Sequence, residues 1–130
     1  MPGGKLRQKR REMEPQDVPW LIQQGAPAEL WLRLRPETLP AEVYNLTGYT
    51  ANWEIWNPRR TVKYAEVAVD FPDRLDGQVR GRLTAAQTLL IPVKSGKAVH
   101  DLHLFPPVGD DFYPIKGSAV AELRVSREAP

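Results

Sequence analysis

The chain has 130 residues, no cysteine, and 18 basic against 16 acidic side chains, a net charge of +2. That length suits one domain that buries its own core without help from disulfides, and the missing thiols remove Cys-ligated metal centres and thiolate chemistry. No apolar run approaches the ~20 residues of a membrane helix, so no membrane association is expected. The thirteen prolines and nine glycines suit short strands and turns better than long helices.

In chain order, residues 1–22 read as an extended basic arm and residues 23–130 as the folded body. The arm carries Lys5, Arg7, Lys9, Arg10 and Arg11. Against these stand Glu12, Glu14 and Asp17, which leaves all of the net charge in the arm and a neutral body. No apolar segment follows the cations, so the N-terminus does not read as a secretory signal, and synthesis in the cytoplasm is expected. Trp20, Leu21 and Ile22 form an apolar anchor where the arm meets the body or a neighbour, and the expected seat is a groove on a neighbouring subunit. The cations are expected to meet an acidic protein surface or to stay in a mobile tail; nucleic acid is the alternative for them, because clustered Lys and Arg bind phosphates in a salt-dependent way.

Residues 28–34 give the first clear strand, with Leu30, Leu32 and Leu34 alternating against Glu29, Trp31 and Arg33. After "LTG" at 46–48, the stretch "TANWEIW" alternates again: Ala51, Trp53 and Ile55 point one way, and Asn52, Glu54 and Trp56 the other. Trp53 is therefore a core residue, whereas Trp31 and Trp56 fall on polar faces, where proteins place rings that meet partners; a covering loop would make them core instead. Residues 61–71 form a third extended run. Asp76-Gly77 signals a turn, and Val79, Gly81 and Leu83 alternate beyond it. "LTAAQTLLIP" reads as a short helical turn capped by Thr84, with Leu89, Leu90 and Ile91 tucked beneath the sheet. Further strands follow at 99–105, 112–115 and 118–125, the first with His100, Leu102 and Leu104 on one face. About seven short antiparallel strands and one helical turn predict an all-β, immunoglobulin-like sandwich, with a small closed barrel as the alternative.

The chemical motifs are thin. In "HDLH" the two histidines stand three apart, so a strand sends them to opposite faces and no metal site is expected. Asp110-Asp111 lacks the alternating oxygens of a calcium loop. "SGK" lacks the upstream glycine of a phosphate loop, and no nucleophile elbow is present. "NLT" at 45–47 matches a glycosylation acceptor, read as chance in a chain without a secretory signal. Neither a catalytic residue nor a cofactor is expected.

"LTGYTANWEIW", "DGQVRGRLTAAQTLLIP", "VHDLHL" and "IKGSAVAELRVS" together resemble a family of small immunoglobulin-like phage virion domains. That family includes the N-terminal domains of upper baseplate proteins and related tail and head proteins. Leu46, Thr47 and Gly48 match its first motif, Gly77, Val79, Leu83 and Thr84 its second, and Asp101 with Leu102 its third; Gly117 and Val120 match the last loosely. The basic arm departs from the pattern. The resemblance implies a non-enzymatic structural protein of a tailed phage particle, in the tail or baseplate, the capsid surface or the head–tail junction. Its expected partners are other virion proteins and copies of itself. The expected contact residues are Lys5, Arg7, Lys9, Arg10, Arg11, Trp20, Leu21, Ile22, Trp31 and Trp56. A carbohydrate or host-surface module using Trp31 and Trp56 is the competing reading, and a DNA-contacting protein acting through the arm is the third.

Overall fold

The computed structural model describes residues 15–35, 44–93 and 98–122. The arm cations Lys5, Arg7, Lys9, Arg10 and Arg11 lie outside the described residues, as do Leu123 and Val125. The protein is all-β. Its strands are β1 (Gln16–Asp17), β2 (Trp20–Gln23), β3 (Ala28–Arg33), β4 (Thr50–Trp56), β5 (Lys63–Asp70), β6 (Gln78–Leu83), β7 (Ala98–Phe105) and β8 (Phe112–Glu122). They hydrogen-bond in the order β1-β8-β7-β4-β5-β6-β3, with β2 also on β8.

β5 is the corner of this path. Its first half pairs with β4, as Trp53 opposite Val67 and Ile55 opposite Ala65. Its second half pairs with β6, as Ala68 opposite Arg82 and Asp70 opposite Arg80. One core lies inside the bend, built from Trp20, Ile22, Leu46, Trp53, Ile55, Val67, Val79, Leu83, Ile91, Leu102, Leu104, Ile115 and their neighbours. Trp53 from β4 packs closely on Gly81 of β6: a Cβ there would stand 2.6 Å from the indole ring. The alternation of β3, β4, β6 and β7 arises because successive strand residues face opposite sides, so alternate residues are the more buried ones; β7 departs from it at Asp101, which is buried beside His100 and Leu102.

Several expectations need correction. Residues 16–23 belong to the body: β1 and β2 run parallel to β8, with Gln16 opposite Ile115 and Trp20 opposite Ala119. The expected boundary at residue 22 therefore moves to before Gln16, and the sheet is not wholly antiparallel. Trp20 is 3% exposed and Ile22 fully buried in this chain's own core, so neither side chain is free to fill a neighbour's groove; only Leu21 of that trio faces solvent, at 65%. The physical reason is period-two alternation compressed into four residues.

The two strands expected at 112–115 and 118–125 are one strand, β8. Gly117 does not break it; it lets Val18 approach, since a Cβ would stand 2.2 Å from the Val18 carbonyl oxygen. Pro114 is accommodated where the β7–β8 register shifts between Leu102 and Leu104, a bulge that spares a ladder bond. The run expected at 61–71 contracts to β5, because the Asn57 side chain accepts from the Thr61 and Val62 amides and closes a turn. In that turn Arg60 takes a left-handed φ of 59°. The helical turn forms at Ala85–Thr88 with Thr84 and Gln87 closing a reciprocal capping box. Beyond it Ile91 is buried, but Leu89 and Leu90 point to solvent, because a turn rather than a strand carries them.

Candidate functional site

Trp31 and Trp56 both lie outward, in different surroundings. Trp31, on β3, is 52% exposed. Its indole N–H donates to Glu29 Oε1 at 3.0 Å, and the Arg80 guanidinium lies 4.9 Å from the ring, a cation–π contact from the neighbouring strand β6. Arg80 is itself held by Asp70, through Nε to Oδ1 at 2.9 Å and a second bond from Nη2. That hydrogen bond holds the Asp70 carboxyl below its usual range and raises the Arg80 pKa. Arg33, two residues beyond Trp31, donates to Asp76 Oδ1 at 2.6 Å. A hydrogen bond from Arg33, seconded by one from Gln78, lowers the Asp76 pKa.

Trp56 closes β4 and is half-buried. Its indole N–H donates to Glu54 Oε1 at 3.1 Å, and Lys63 Nζ sits 5.8 Å from the ring. Lys63 bridges Glu66 at 2.7 Å and Glu54 at 3.4 Å; the Glu66 bond raises the Lys63 pKa and lowers that of Glu66. Both indoles thus bond a glutamate two residues earlier on the same strand face, a recurrence visible in the sequence as "ELW" and "EIW". β5 and β6 stand between β4 and β3, so the two rings do not form one platform.

The outward face of β7 and β8 carries a third group that sequence reasoning missed. His103 stacks on Tyr113 at a centroid distance of 4.1 Å, meets the tilted ring of Phe105 at 4.2 Å, and bonds Asp111. That bond is the main cause of a lowered Asp111 pKa. Next to it Arg60 reaches across to the mostly buried Asp101 at 2.5 Å. A cleft of about 440 Å³ opens beside Arg60, Lys116 and Ser118. The signal for the ring cluster was the shared parity of His103 and Phe105; placing Tyr113 beside them required the β7–β8 register.

His100, on the opposite face of β7, is a structural hub. Trp53 Nε1–H donates to His100 Nδ1 at 3.1 Å, and the Nε2–H donates to the Val18 carbonyl at 2.6 Å. The indole is a donor only, so the proton must sit on Nε2. Burial pushes the His100 pKa down, partly opposed by the Val18 bond and by Asp101 and Asp17. The neutral ring thereby ties β4, β7 and the β1–β2 junction together. Among the described residues no group of three or more His, Asp or Glu side chains is positioned to hold a metal ion.

No family model matches this chain, and no match emerges from comparison with curated proteins. Most of the motif residues behind the sequence resemblance to phage virion domains occupy turn and core positions, whereas Val120 is exposed on β8. Leu46 is buried, and Gly48 has a left-handed φ of 82°. Gly77 has φ 69° and lies so close to the Leu34 carbonyl oxygen that a Cβ would stand 2.7 Å from it. Val79, Leu83 and Leu102 are buried, and Thr84 caps the helical turn.

Proposed function

We propose that this chain is a non-enzymatic structural protein of a tailed bacteriophage particle. In this reading it is made in the host cytoplasm and works in the virion, with other virion proteins and copies of itself as partners. Its body is read as an immunoglobulin-like sandwich. Supporting that reading, β3, β6 and the second half of β5 pair as one group, while the first half of β5, β4, β7 and β8 pair as another. A buried tryptophan, Trp53, sits on β4 between β7 and β5, and immunoglobulin sandwiches commonly carry one on such an interior strand.

One observation carries the proposal. Most of the residues that carry the resemblance to virion domains occupy turns and the core, and that placement leaves the outward faces, an exposed indole and the basic leader for contacts with neighbours. The leader of residues 1–14 then contributes affinity by burying extended chain on a neighbouring subunit, at a cost in ordering entropy.

The test is quantitative mass spectrometry of density-purified particles from the source cells. The proposal expects the chain at a fixed copy number relative to the capsid or tail proteins, retained after nuclease treatment. Recovery only in the soluble fraction overturns it. Release by nuclease points instead to DNA contact through the arm.

A further inference from the structure

The sheet has two ends, and they are protected differently. At one end β1 has two residues and β2 four, separated by Val18 and Pro19, so that edge is short and interrupted. At the other end β3 runs for six residues and pairs with β6 without a break, from Ala28 opposite Leu83 to Arg33 opposite Gln78. Among the described residues β3 pairs only with β6. It contains no proline, bulge or inward-pointing charge, the devices that usually blunt an edge against another chain. Its inward side chains Leu30 and Leu32 remain partly exposed, although they pack on the core. Trp31 is half-exposed on the outward side.

The geometry points to a second copy of this chain as the occupant of the β3 edge, paired antiparallel about a two-fold axis at Trp31. Cross-strand partners in an antiparallel pair share a face. Centred on Trp31, the pairing sets Trp31 against Trp31, and Leu30 against Leu32 of the second copy on the inward side. It also sets Glu29 against Arg33 of the second copy, twice by symmetry, so opposite charges meet at both ends. Shifting the centre to Glu29 brings two Glu29 carboxylates together, and shifting it to Leu30 sets Glu29 against the indole. Trp31 is already fixed by Glu29 and covered on its β6 side by Arg80, so little ring freedom is lost on pairing. Such a contact is isologous, and it closes at two copies instead of propagating into a filament. The pairing adds about four to six main-chain hydrogen bonds, depending on which residues of β3 point their amides outward.

This inference deepens the self-association in the proposed function and rests on it only for why two copies meet. The test uses purified full-length chain, so its failure leaves the virion role standing. Sedimentation velocity over a concentration series is expected to show a monomer–dimer equilibrium. Glu29→Arg and Arg33→Glu should each raise the dissociation constant at least about tenfold, because like charges then face each other twice. Mixing the two variants should restore association as a heterodimer, since each reversed charge finds its opposite. Where Arg33→Glu destabilises the fold by losing Asp76, Glu29→Arg alone decides. A chain that stays monomeric throughout overturns the inference. So does a dimer that Glu29→Arg leaves unchanged, or variants that fail to associate when mixed although both are folded.

Discussion

Replacing His100 by leucine tests how the N-terminal strands are held. The substitution puts an apolar side chain of similar size in place of the imidazole; it leaves the Trp53 indole N–H without its partner in the core and the Val18 carbonyl without its His100 donor at the part-buried margin. An unpaired buried group costs about 1–3 kcal/mol and a part-buried one less, so the expected loss is roughly 1–4 kcal/mol before any apolar gain from leucine. That is a large share of the ~5–15 kcal/mol typical of a domain. Urea unfolding at pH 7.5 measures it directly. A pH series adds a second, independent reading. The folded-state pKa of His100 lies below its ordinary value, so the unfolded chain takes up a proton first as pH falls. The contribution of His100 is thus complete above about pH 6.5 and is lost as pH falls through the folded-state pKa, at up to ~1.4 kcal/mol per pH unit. Between pH 6.5 and 5 the wild type should lose stability, while His100→Leu should show a flatter profile; His103→Gln serves as the control for the other histidine. A loss below about 0.5 kcal/mol at pH 7.5, smaller than an ordinary hydrogen bond, refutes the reasoning. An unchanged pH slope refutes it equally.

Two further outcomes follow from the same junction. Gly117→Ala forces the new methyl group against the Val18 backbone, and β1 and β2 must move off β8. A cost of at least ~1–3 kcal/mol is expected, seen as a melting temperature lower by several degrees and faster proteolysis near Pro19. A melting temperature equal to wild type contradicts the close approach. Deleting residues 1–14 should leave the melting temperature nearly unchanged, whereas deleting 1–22 removes Trp20 and Ile22 from the core. Losing two such side chains costs roughly 5–10 kcal/mol, comparable with the whole stability, and circular dichroism should show an unfolded chain. A cooperative melt for the longer deletion contradicts the placement of β2.

Period-two alternation made β3, β4, β6 and β7 legible in the sequence, together with the inward side of Trp53 and the outward side of Trp31 and Trp56. β2 was not legible, because four residues hold only two inward positions and its partner, β8, lies about a hundred residues away in the chain. Parallel pairing leaves no local trace of the kind a hairpin turn provides. β8 appeared as two strands because Gly117 reads as a break, although its missing side chain is what admits Val18. The cover over Trp56 depends on Lys63, which arrives across the β4–β5 bulge, and alternation within β4 carries no information about it. The Phe105–His103–Tyr113 cluster likewise depends on the shifted β7–β8 register. Local pattern therefore reports which face a side chain takes; what lies across the strand has to come from the fold.

Native-state hydrogen exchange on the full chain, at a dilute and a concentrated condition, tests most directly the division between an inward core that includes the N-terminal strands and an open outer edge. Amides of Trp20–Gln23 that pair with β8 should be protected to a similar degree as those of β7 at both concentrations. Outward-pointing amides of β3 should exchange quickly when dilute and slow markedly when concentrated. Fast exchange across β2, or β3 protection that does not change with concentration, contradicts the account.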